Sequence, residues 1–520
     1  MPAAQPGAPA APGALTRQAG STLAEQLAER IALRIRQRLL APGARLPSVR
    51  ECAARNGVSP STVVGAYDLL QAQGLVQARP QRGFFVREPA ALPAAWPQRL
   101  AATGGGAAGD SGPAGAAGTA DAAGTADAAG RRDSADPSDG AGPPSPPPVD
   151  ATALIRGMFR PRRGGPPAPG QGTLPEAWLD AALLQRALKR VTAGAGAQGW
   201  LSYGDPAGDL RLRQALARRL ADIGIAATAE QIVTTVGATH ALDLVARTLL
   251  QPGDAVLVDE PGWAVEFARL SRAGFTLLPV PRGPEGPDLA VLDALAAAHR
   301  PRLYVTVSVL HNPTGASLAP AHAHRLLQLA DKHGFTLVED DTYAWLAPLH
   351  ATRVAQLDAL ERTVYVSGFS KILVPQWRVG YLAAAPALAE RLIDTKLLST
   401  LTTPAPLEQA VAWCLEQGAL RRHAERVSAL LAAARTRTVR LAREAGCRFV
   451  APPEGLFGWI DVGTDTEALA QALLDEGWLT APGTLFHASP RPTTLMRINF
   501  ATAQDARFWH RLQALRKKGA

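Results

Sequence analysis

The sequence predicts a multi-domain protein with a small helical N-terminal unit and a larger C-terminal α/β unit. The chain has 520 residues, whereas a single domain holds roughly 100–200. Residues 101–150 contain no Leu, Ile, Met or aromatic residue, so they cannot form a packed core. From about residue 200, short apolar runs rich in β-formers alternate with helical segments. This alternation is typical of a mainly parallel sheet wrapped by helices.

Local signals in the first 88 residues predict three helices and a β-hairpin. Residues suited to cap a helix precede three segments: Thr22, Ser48 and Ser59. Pro60 follows the third cap, at the first helical position, where proline costs no hydrogen bond. Apolar residues at 75–76 and 84–86 flank a turn that contains Gly83, which indicates a hairpin. Three helices, two of them joined by a tight turn, and a hairpin predict a winged helix-turn-helix.

Basic charge is concentrated in this N-terminal unit. Residues 1–100 contain 12 Arg, no Lys and 5 acidic residues, whereas residues 101–150 contain 2 Arg and 7 Asp. Per residue, the first hundred positions are several times more basic than the chain after residue 150. A basic small unit favours double-stranded DNA as its partner. A general preference for arginine is the alternative, because the whole chain has 48 Arg and only 6 Lys.

Cysteine usage and hydropathy exclude several classes of protein. Three cysteines without a CxxC pair exclude a disulfide scaffold and give no indication of a zinc or other metal site. No run of about 18 apolar residues predicts a membrane-spanning helix, so no membrane partner is expected. Residues 1–14 lack the basic start and leucine-rich core of a signal peptide. We expect a soluble, cytoplasmic protein.

Composition divides the chain into three parts. A winged helix-turn-helix is predicted at 15–88, and an Ala/Gly/Pro-rich disordered linker at 89–150, in which the hexamer GTADAA occurs twice in succession. The α/β unit is predicted at 151–520. Its large part lies at about 200–400 and a smaller α/β part at about 446–520, with a mostly helical stretch between them.

Residues that could bind a ligand follow each of five predicted strands of the sheet. These strands are 231–236, 255–259, 303–309, 335–339 and 363–367. In an open parallel sheet, ligands bind beyond the carboxyl ends of the strands. A glycine-rich turn and the start of a helix follow the first strand, where free backbone amides can hold a phosphate. The other four strands are followed by an aromatic, an amide, an acidic and an amine side chain: Trp263, Asn312, Asp340 and Lys371.

An amine, an acid, an amide, an aromatic ring and a phosphate cradle together fit an aldehyde cofactor with a phosphate and a basic ring nitrogen, namely pyridoxal 5'-phosphate. Lys371 would form the imine (Schiff base) as the catalytic residue, and Asp340 would keep the ring nitrogen protonated. Asn312 and Tyr343 would hydrogen-bond the ring hydroxyl. Stacking and phosphate contacts are assigned to the remaining residues: Trp263, Ser370 and Arg378. Each feature alone has an ordinary explanation as a turn or a solvated loop residue; their conjunction supports the cofactor.

The motifs resemble two known families. Residues 21–88, with LPSVRECAARNGVSPSTVVGAYDLLQAQGLV followed by RGFFV, resemble the GntR-type winged helix. Residues 170–502 resemble fold-type I aminotransferases, which depend on pyridoxal phosphate, through YGDPAGDLRLR, HNPTG, EDDTY, SGFSKILVPQWRVGY and MRINFA. In this order the two parts resemble the MocR/GabR-type subfamily of transcriptional regulators.

The resemblance implies further roles. Arg497 corresponds to an arginine that binds the α-carboxylate of the substrate or effector, a task suited to a bidentate guanidinium. Tyr203 corresponds to a tyrosine that reaches the phosphate in the partner subunit of a homodimer. Two residues correspond to the phosphate cradle: Ala238 and Thr239. Six correspond to DNA-contacting positions: Arg45, Arg50, Ser61, Thr62, Arg82 and Gly83. Tyr67 is expected to make a core or backbone contact instead.

The sequence also departs from the family patterns. Gly368 stands where the family usually offers Ser or Thr to the phosphate, and Ser367 is the candidate substitute for that hydroxyl. Pro60 occupies a position at the start of the recognition helix that is commonly Arg. The glycine segment around 164–172 receives no assignment.

Three functions remain open from the sequence. The first is a DNA-binding regulator that senses pyridoxal phosphate or an amino compound through imine exchange. The second is an active aminotransferase, so the enzymatic status is left open, and the third is a DNA-binding protein with a cofactor-free dimerisation domain. The joined winged helix favours the first function. The presence of a complete set of cofactor residues argues against the third: Asp340, Lys371, Asn312 and Arg378. Arg497 favours an amine effector that carries a carboxylate or sulfonate.

Overall fold

The computed structural model describes residues 22–36, 40, 43–79, 82–87, 168–193, 199–489 and 491–519. The chain divides into two compact units, one formed by most of the described residues before 88 and the other by those after 168. The linker predicted at 89–150 lies outside the described residues.

The N-terminal unit is a three-helix bundle with a two-stranded antiparallel hairpin. Its elements are α1 (Leu23–Arg36), α2 (Val49–Asn56), α3 (Pro60–Ala72), β1 (Val76–Arg79) and β2 (Gly83–Val86). This is the winged helix-turn-helix that the sequence predicts, and β1 and β2 form the wing.

Side-chain caps begin each helix of this unit at the expected residue. The Thr22 hydroxyl accepts a hydrogen bond from the Glu25 amide at 3.2 Å, and the Glu25 carboxylate accepts one from the Thr22 amide at 2.7 Å. Ser48 and Ser59 each accept from the amide three residues ahead, at 3.3 and 3.2 Å. Gly57 ends α2 with a φ of 64°, a conformation that glycine adopts at little cost. These caps satisfy amides that a helix start leaves without partners.

The core of the N-terminal unit forms between α1 and the inner face of α3. Leu27, Val63, Tyr67 and Leu70 are almost completely buried. The Tyr67 hydroxyl donates to the backbone carbonyl of Pro47 at 2.8 Å. Tyr67 is therefore a core residue, as the sequence indicates.

The C-terminal unit contains an eight-stranded sheet. Its strands are β3 (Ile232–Val236), β4 (Ala255–Glu260), β5 (Thr276–Gly283), β6 (Gly286–Pro287), β7 (Leu303–Thr306), β8 (Thr336–Asp340), β9 (Thr363–Gly368) and β10 (Val379–Ala383). The spatial order is β3-β10-β9-β8-β7-β4-β5-β6. Strands β4, β5, β7, β8 and β9 are parallel, whereas β10 runs antiparallel to both β3 and β9. All five predicted strands are present; β5, β6 and β10 were not predicted.

Helices cover the sheet and connect its strands. They are α4 (Ala181–Thr192), α5 (Leu210–Asp222), α6 (Ala238–Leu249), α7 (Ala264–Arg272), α8 (Leu289–His299), α9 (Pro320–His333), α10 (Val354–Asp358), α11 (Pro386–Leu397), α12 (Ala405–Glu416) and α13 (Ala419–Glu444). The predicted helical stretch 405–445 is two helices, because Gly418 with a φ of 62° separates α12 from α13.

A smaller α/β part completes the C-terminal unit. Its sheet has the order β11-β12-β14-β13, formed by β11 (Arg448–Phe449), β12 (Phe457–Asp461), β13 (Ala481–Pro482) and β14 (Leu495–Asn499). Helices α14 (Thr466–Asp475) and α15 (Ala506–Gly519) pack on it. In the described part of the chain, no helix is long and apolar enough to cross a membrane.

Candidate functional site

The carboxyl ends of the parallel strands β4, β7, β8 and β9 meet at one edge of the large sheet. Residues that follow these strands are therefore neighbours in space. Three of the expected cofactor residues line a common cavity: Trp263, Asn312 and Asp340. Trp263 immediately precedes α7 and is half-buried, so its indole forms part of the cavity wall.

The Lys371 amine lies in the loop after β9 and is tied to a distant segment. Its Nζ donates to the backbone carbonyl of Gly172 at 2.7 Å and lies 6.0 Å from the centre of the Tyr343 ring. Burial, together with the positive charge of Arg497, lowers the pKa of Lys371 to about 8. A fraction of this amine is thus unprotonated near neutral pH, and the unprotonated form is the nucleophile.

Asp340 ends β8 and presents its carboxylate to the cavity. The backbone amide of Thr342 donates to this carboxylate at 3.0 Å, and the Thr342 hydroxyl donates to the same oxygen. Burial raises the pKa of Asp340 to about 6, and the neighbouring Glu266 carboxylate acts in the same direction. The group remains ionised at neutral pH, as required to pair with a protonated ring nitrogen.

Arg497, on β14 of the smaller part, is held rigidly at the site. Its Nη1 donates to the Asn312 side-chain carbonyl at 2.8 Å, and its Nη2 donates to the Gly170 carbonyl at 2.7 Å. The guanidinium carbon lies 4.4 Å from the centre of the Phe457 ring and 4.9 Å from that of Phe486. Two aromatic rings and two carbonyls thus fix the orientation of a buried cation.

Gly172 shows how close the amine and the guanidinium are. A Cβ built on Gly172 would lie 3.8 Å from both Lys371 Nζ and Arg497 Nη2. Both groups therefore face the same small space, although each comes from a different part of the chain. A molecule that carries an amine next to a carboxylate would contact both.

The start of α6 is the segment expected to act as a phosphate cradle. Gly237 precedes the helix with a φ of 76°, and Ala238 and Thr239 begin it. The first amides of a helix have no acceptor within the helix, and they favour anions. In the described region, Gly380 packs directly against this turn: a Cβ there would lie 2.5 Å from the Gly237 carbonyl carbon and 2.7 Å from the Ala238 nitrogen.

Arg378 adds a positive charge to the cradle. Its Nη1 donates to the Ser370 hydroxyl at 3.3 Å, and its Nη2 donates to the Val236 carbonyl at 3.2 Å. A Cβ on Gly237 would lie only 2.3 Å from Arg378 Nη2, so the guanidinium sits against the turn before α6. Ser370, Arg378 and the first amides of α6 therefore surround one position suited to a phosphate.

The cradle does not receive the hydroxyl of Ser367. This residue is fully buried, and its hydroxyl donates to the Asp341 carbonyl at 2.8 Å. The expectation that Ser367 replaces the usual hydroxyl is wrong, since the alternating direction of side chains in β9 turns position 367 away from position 368. Gly368 itself pairs with Gly380 across β9 and β10 and supplies no side chain.

The two tyrosines expected to contact the cofactor, Tyr343 and Tyr203, differ in their exposure to solvent. Tyr343 is 6% exposed and packs edge-on against Phe457, with ring centres 5.5 Å apart. Tyr203 is 82% exposed in the single chain, and Leu201 beside it is 87% exposed. Tyr203 therefore makes little contact with the site of its own chain.

Sequence reasoning did not identify several residues that line or support the site. The carbonyls of Gly170 and Gly172 hold Arg497 and Lys371, in a segment to which nothing was assigned. Phe457 and Phe486, which enclose Arg497, carried no motif signal. The apolar run of β12 could have indicated burial of Phe457, but its contact with Arg497 is defined only by the fold.

The N-terminal unit exposes the residues expected to contact DNA. Arg45, Arg50, Arg82 and Gly83 are exposed, and a Cβ on Gly83 would lie 3.5 Å from Arg45 Nε. Arg45 therefore lies beside the tip of the wing. At the start of α3, the exposed Ser61 and the half-buried Thr62 hydrogen-bond through their hydroxyls to Ser59, each at 2.8 Å.

Family models match both units. The model of the bacterial regulatory proteins of the gntR family matches residues 23–86, and that of the aminotransferases of class I and II matches residues 167–515. The chain is 30% identical over 493 residues to the uncharacterized HTH-type transcriptional regulator YdcR of Escherichia coli, covering 92% of this chain and 94% of YdcR. The chain belongs to the MocR-type regulators, in which a GntR-type winged helix precedes a class I and II aminotransferase domain.

Aminotransferases are also similar to the C-terminal unit of this MocR-type chain. The 2-aminoadipate transaminase of Thermus thermophilus is 31% identical over 52% of the chain and 71% of that enzyme. The crystal structure of LysN, the α-aminoadipate aminotransferase of Thermus thermophilus complexed with N-(5'-phosphopyridoxyl)-L-leucine, matches with a TM-score of 0.64 and 25% identity. That match covers 70% of this chain and 95% of LysN. The predicted fold class is confirmed.

Proposed function

We propose that this MocR-type protein is a DNA-binding transcriptional regulator whose aminotransferase-like unit senses pyridoxal phosphate or an amino compound. The single observation that carries the proposal is the joint presence, in one chain, of two groups of residues suited to these two roles. One combines Lys371, Asp340 and Arg378 near the strand ends of the large sheet with Arg497 from the smaller sheet. The other is the winged helix with its exposed arginines.

Pyridoxal phosphate fits the residues of the C-terminal unit. When bound, this cofactor supplies an aldehyde that reacts with amines and a ring that withdraws electrons. Arg378, Ser370 and the amides of Ala238 and Thr239 would hold its phosphate, while Asp340 would hold the proton of the ring nitrogen. Trp263 would stack on the ring, and Asn312 with Tyr343 would bind the ring hydroxyl. Lys371 provides the amine.

The same residues can distinguish effectors. Arg497 is prepared for a carboxylate or sulfonate, because its guanidinium is already fixed by Asn312 and two phenyl rings. Lys371 lies on the same side of Gly172 as this guanidinium. An effector amine whose acidic group binds Arg497 would therefore compete with the Lys371 amine for one position. The chemical identity of the effector would therefore determine which amine, its own or that of Lys371, occupies this position.

We also propose a homodimer formed by the C-terminal unit. Large apolar side chains that are highly exposed in the single chain support this assembly: Leu201, Tyr203 and Leu398, at 87%, 82% and 92%. Tyr203 would then contribute to the phosphate cradle of the partner subunit. The proposed domains are 15–88 for DNA binding, 89–150 for the linker and 151–520 for sensing and dimerisation. A DNA partner makes the cytoplasm the proposed location.

An active aminotransferase is the second candidate. The intact amine and acid support it: Lys371 with a pKa lowered to about 8 is partly unprotonated at neutral pH. Similarity to the 2-aminoadipate transaminase supports the same reading. The regulator and the aminotransferase differ in one measurable property: only the aminotransferase consumes an amino acid continuously.

The test measures DNA binding and turnover on the same preparation. Full-length protein is loaded with pyridoxal phosphate, and its affinity for its own upstream DNA is measured with and without candidate amines. A regulator changes DNA affinity in the presence of one amine while consuming at most one equivalent. Continuous conversion of an amino acid with a keto acid, without any change in DNA affinity, would instead establish the aminotransferase.

A further inference from the structure

The outward face of the recognition helix α3 carries no basic side chain. Its inner face buries Val63, Ala66, Tyr67 and Leu70, so the opposite side of the helix is the one available to a partner. Along that outward side, Ser61, Val64 and Asp68 are exposed at positions one helical turn apart. Val64 is 43% exposed. An apolar, β-branched side chain thus stands at the centre of this face.

No cation stands on this helix. The sequence contains neither Lys nor Arg between Arg55 and Arg79, and Asp68 is the only charged residue of α3. Arginine and lysine are the side chains that recognise guanine, and Asn or Gln those that recognise adenine. The first two turns of α3 contain none of these four residue types. They offer instead two hydroxyls, Ser61 and Thr62, and the methyl groups of Val64.

The exposed positive charges of this unit lie outside α3. Arg50 precedes the helix-turn-helix turn on α2, and Arg45 and Arg82 lie beside the wing. All three are exposed, and within the described residues no ion pair involves them. Exposed guanidinium groups outside a helix face that carries no cation of its own can bind the phosphates that border a DNA groove.

We propose that Val64 is a specificity-determining residue that contacts the 5-methyl group of thymine in the major groove of duplex DNA. The inference rests on the proposed DNA-binding function and deepens it. The N-terminal residues of a recognition helix are those that reach base edges. An apolar side chain there distinguishes thymine through its methyl group, which no other base carries in the major groove. The preferred sequence therefore has a thymine opposite Val64 rather than a guanine opposite an arginine.

The test removes methyl groups from each side of the contact, one from thymine and two from Val64. The full-length protein first selects preferred duplexes from a pool of random sequence. Each thymine of a selected duplex is then replaced by uracil, which lacks only the 5-methyl group, and affinity is measured for the wild type and for Val64→Ala. Burial of one methyl contributes about fourfold to affinity. We expect one uracil substitution per half-site to weaken wild-type binding by about that factor.

The two changes should not be additive. Val64→Ala should bind the thymine duplex about as weakly as the wild type binds the uracil duplex, and uracil should weaken the variant no further. Leu69→Ala is the matched control, because Leu69 is an exposed apolar residue of α3, 37% exposed, on a different side of the helix. This control should retain the full response to uracil.

Two results overturn the inference. One is a wild type that is insensitive to uracil at every thymine of the selected duplex. The other is a Val64→Ala variant, folded by circular dichroism, that responds to uracil as strongly as the wild type. A pool from which no preferred duplex emerges has a different meaning: it refutes the proposed DNA-binding function, and this inference falls with it.

Discussion

Titration of the Lys371 amine should control how fast the cofactor-free protein captures added pyridoxal phosphate. Burial and the positive charge of Arg497 disfavour the ammonium form and lower the pKa of Lys371 to about 8. At pH 7.4 about one fifth of the amine is then unprotonated, compared with about one part in a thousand for a lysine with an ordinary pKa. The structure therefore predicts a reactive fraction larger by about two hundredfold.

The assay follows visible absorbance after the cofactor is mixed with cofactor-free protein over a range of pH. The rate should rise with pH and reach a plateau, with a midpoint near the lowered pKa of Lys371. Arg497→Met removes a nearby positive charge, so the ammonium form becomes less unfavourable and the midpoint should move to higher pH. Arg440→Met, which changes an exposed arginine on α13, is the matched control and should leave the midpoint unchanged. A midpoint near that of free lysine, or one that Arg497→Met does not move, would refute the reasoning.

Five other outcomes are expected. Lys371→Ala should lose the visible band of covalently held cofactor and the response to effector but keep basal DNA affinity, and a variant that still answers the effector would exclude sensing through this amine. Arg50→Ala should weaken operator binding by about 1–3 kcal/mol if the guanidinium reads a base, and wild-type binding should fall steeply with added salt; titrations at two salt concentrations check both. The fragment 151–520 and the full chain should both be dimers by light scattering, and a monomeric fragment would contradict the proposed assembly. Gly380→Ala should lower the free energy of unfolding by about 1–3 kcal/mol, because the new methyl meets the backbone before α6; an unchanged denaturation midpoint would count against that packing.

Local signals determined the elements of this protein and their order. The caps at Thr22, Ser48 and Ser59 mark helix starts, because a side chain that satisfies an amide three residues ahead acts within one turn of the chain. Apolar runs marked the five main strands. The residues after those strands also identified most of the candidate site, since the carboxyl ends of parallel strands share one edge of the sheet.

Only the tertiary structure decided how the site is held together. Lys371 bonds to a carbonyl 199 residues away, and Arg497 bonds to partners 185 and 327 residues away. Backbone carbonyls such as those of Gly170 and Gly172 are the same in every residue, so no sequence pattern marks them as ligands. The antiparallel course of β10 was likewise hidden, because it depends on which strands lie alongside. The local sequence predicts contacts between residues that are a few positions apart. Contacts between residues hundreds of positions apart form only when the chain packs into its tertiary structure.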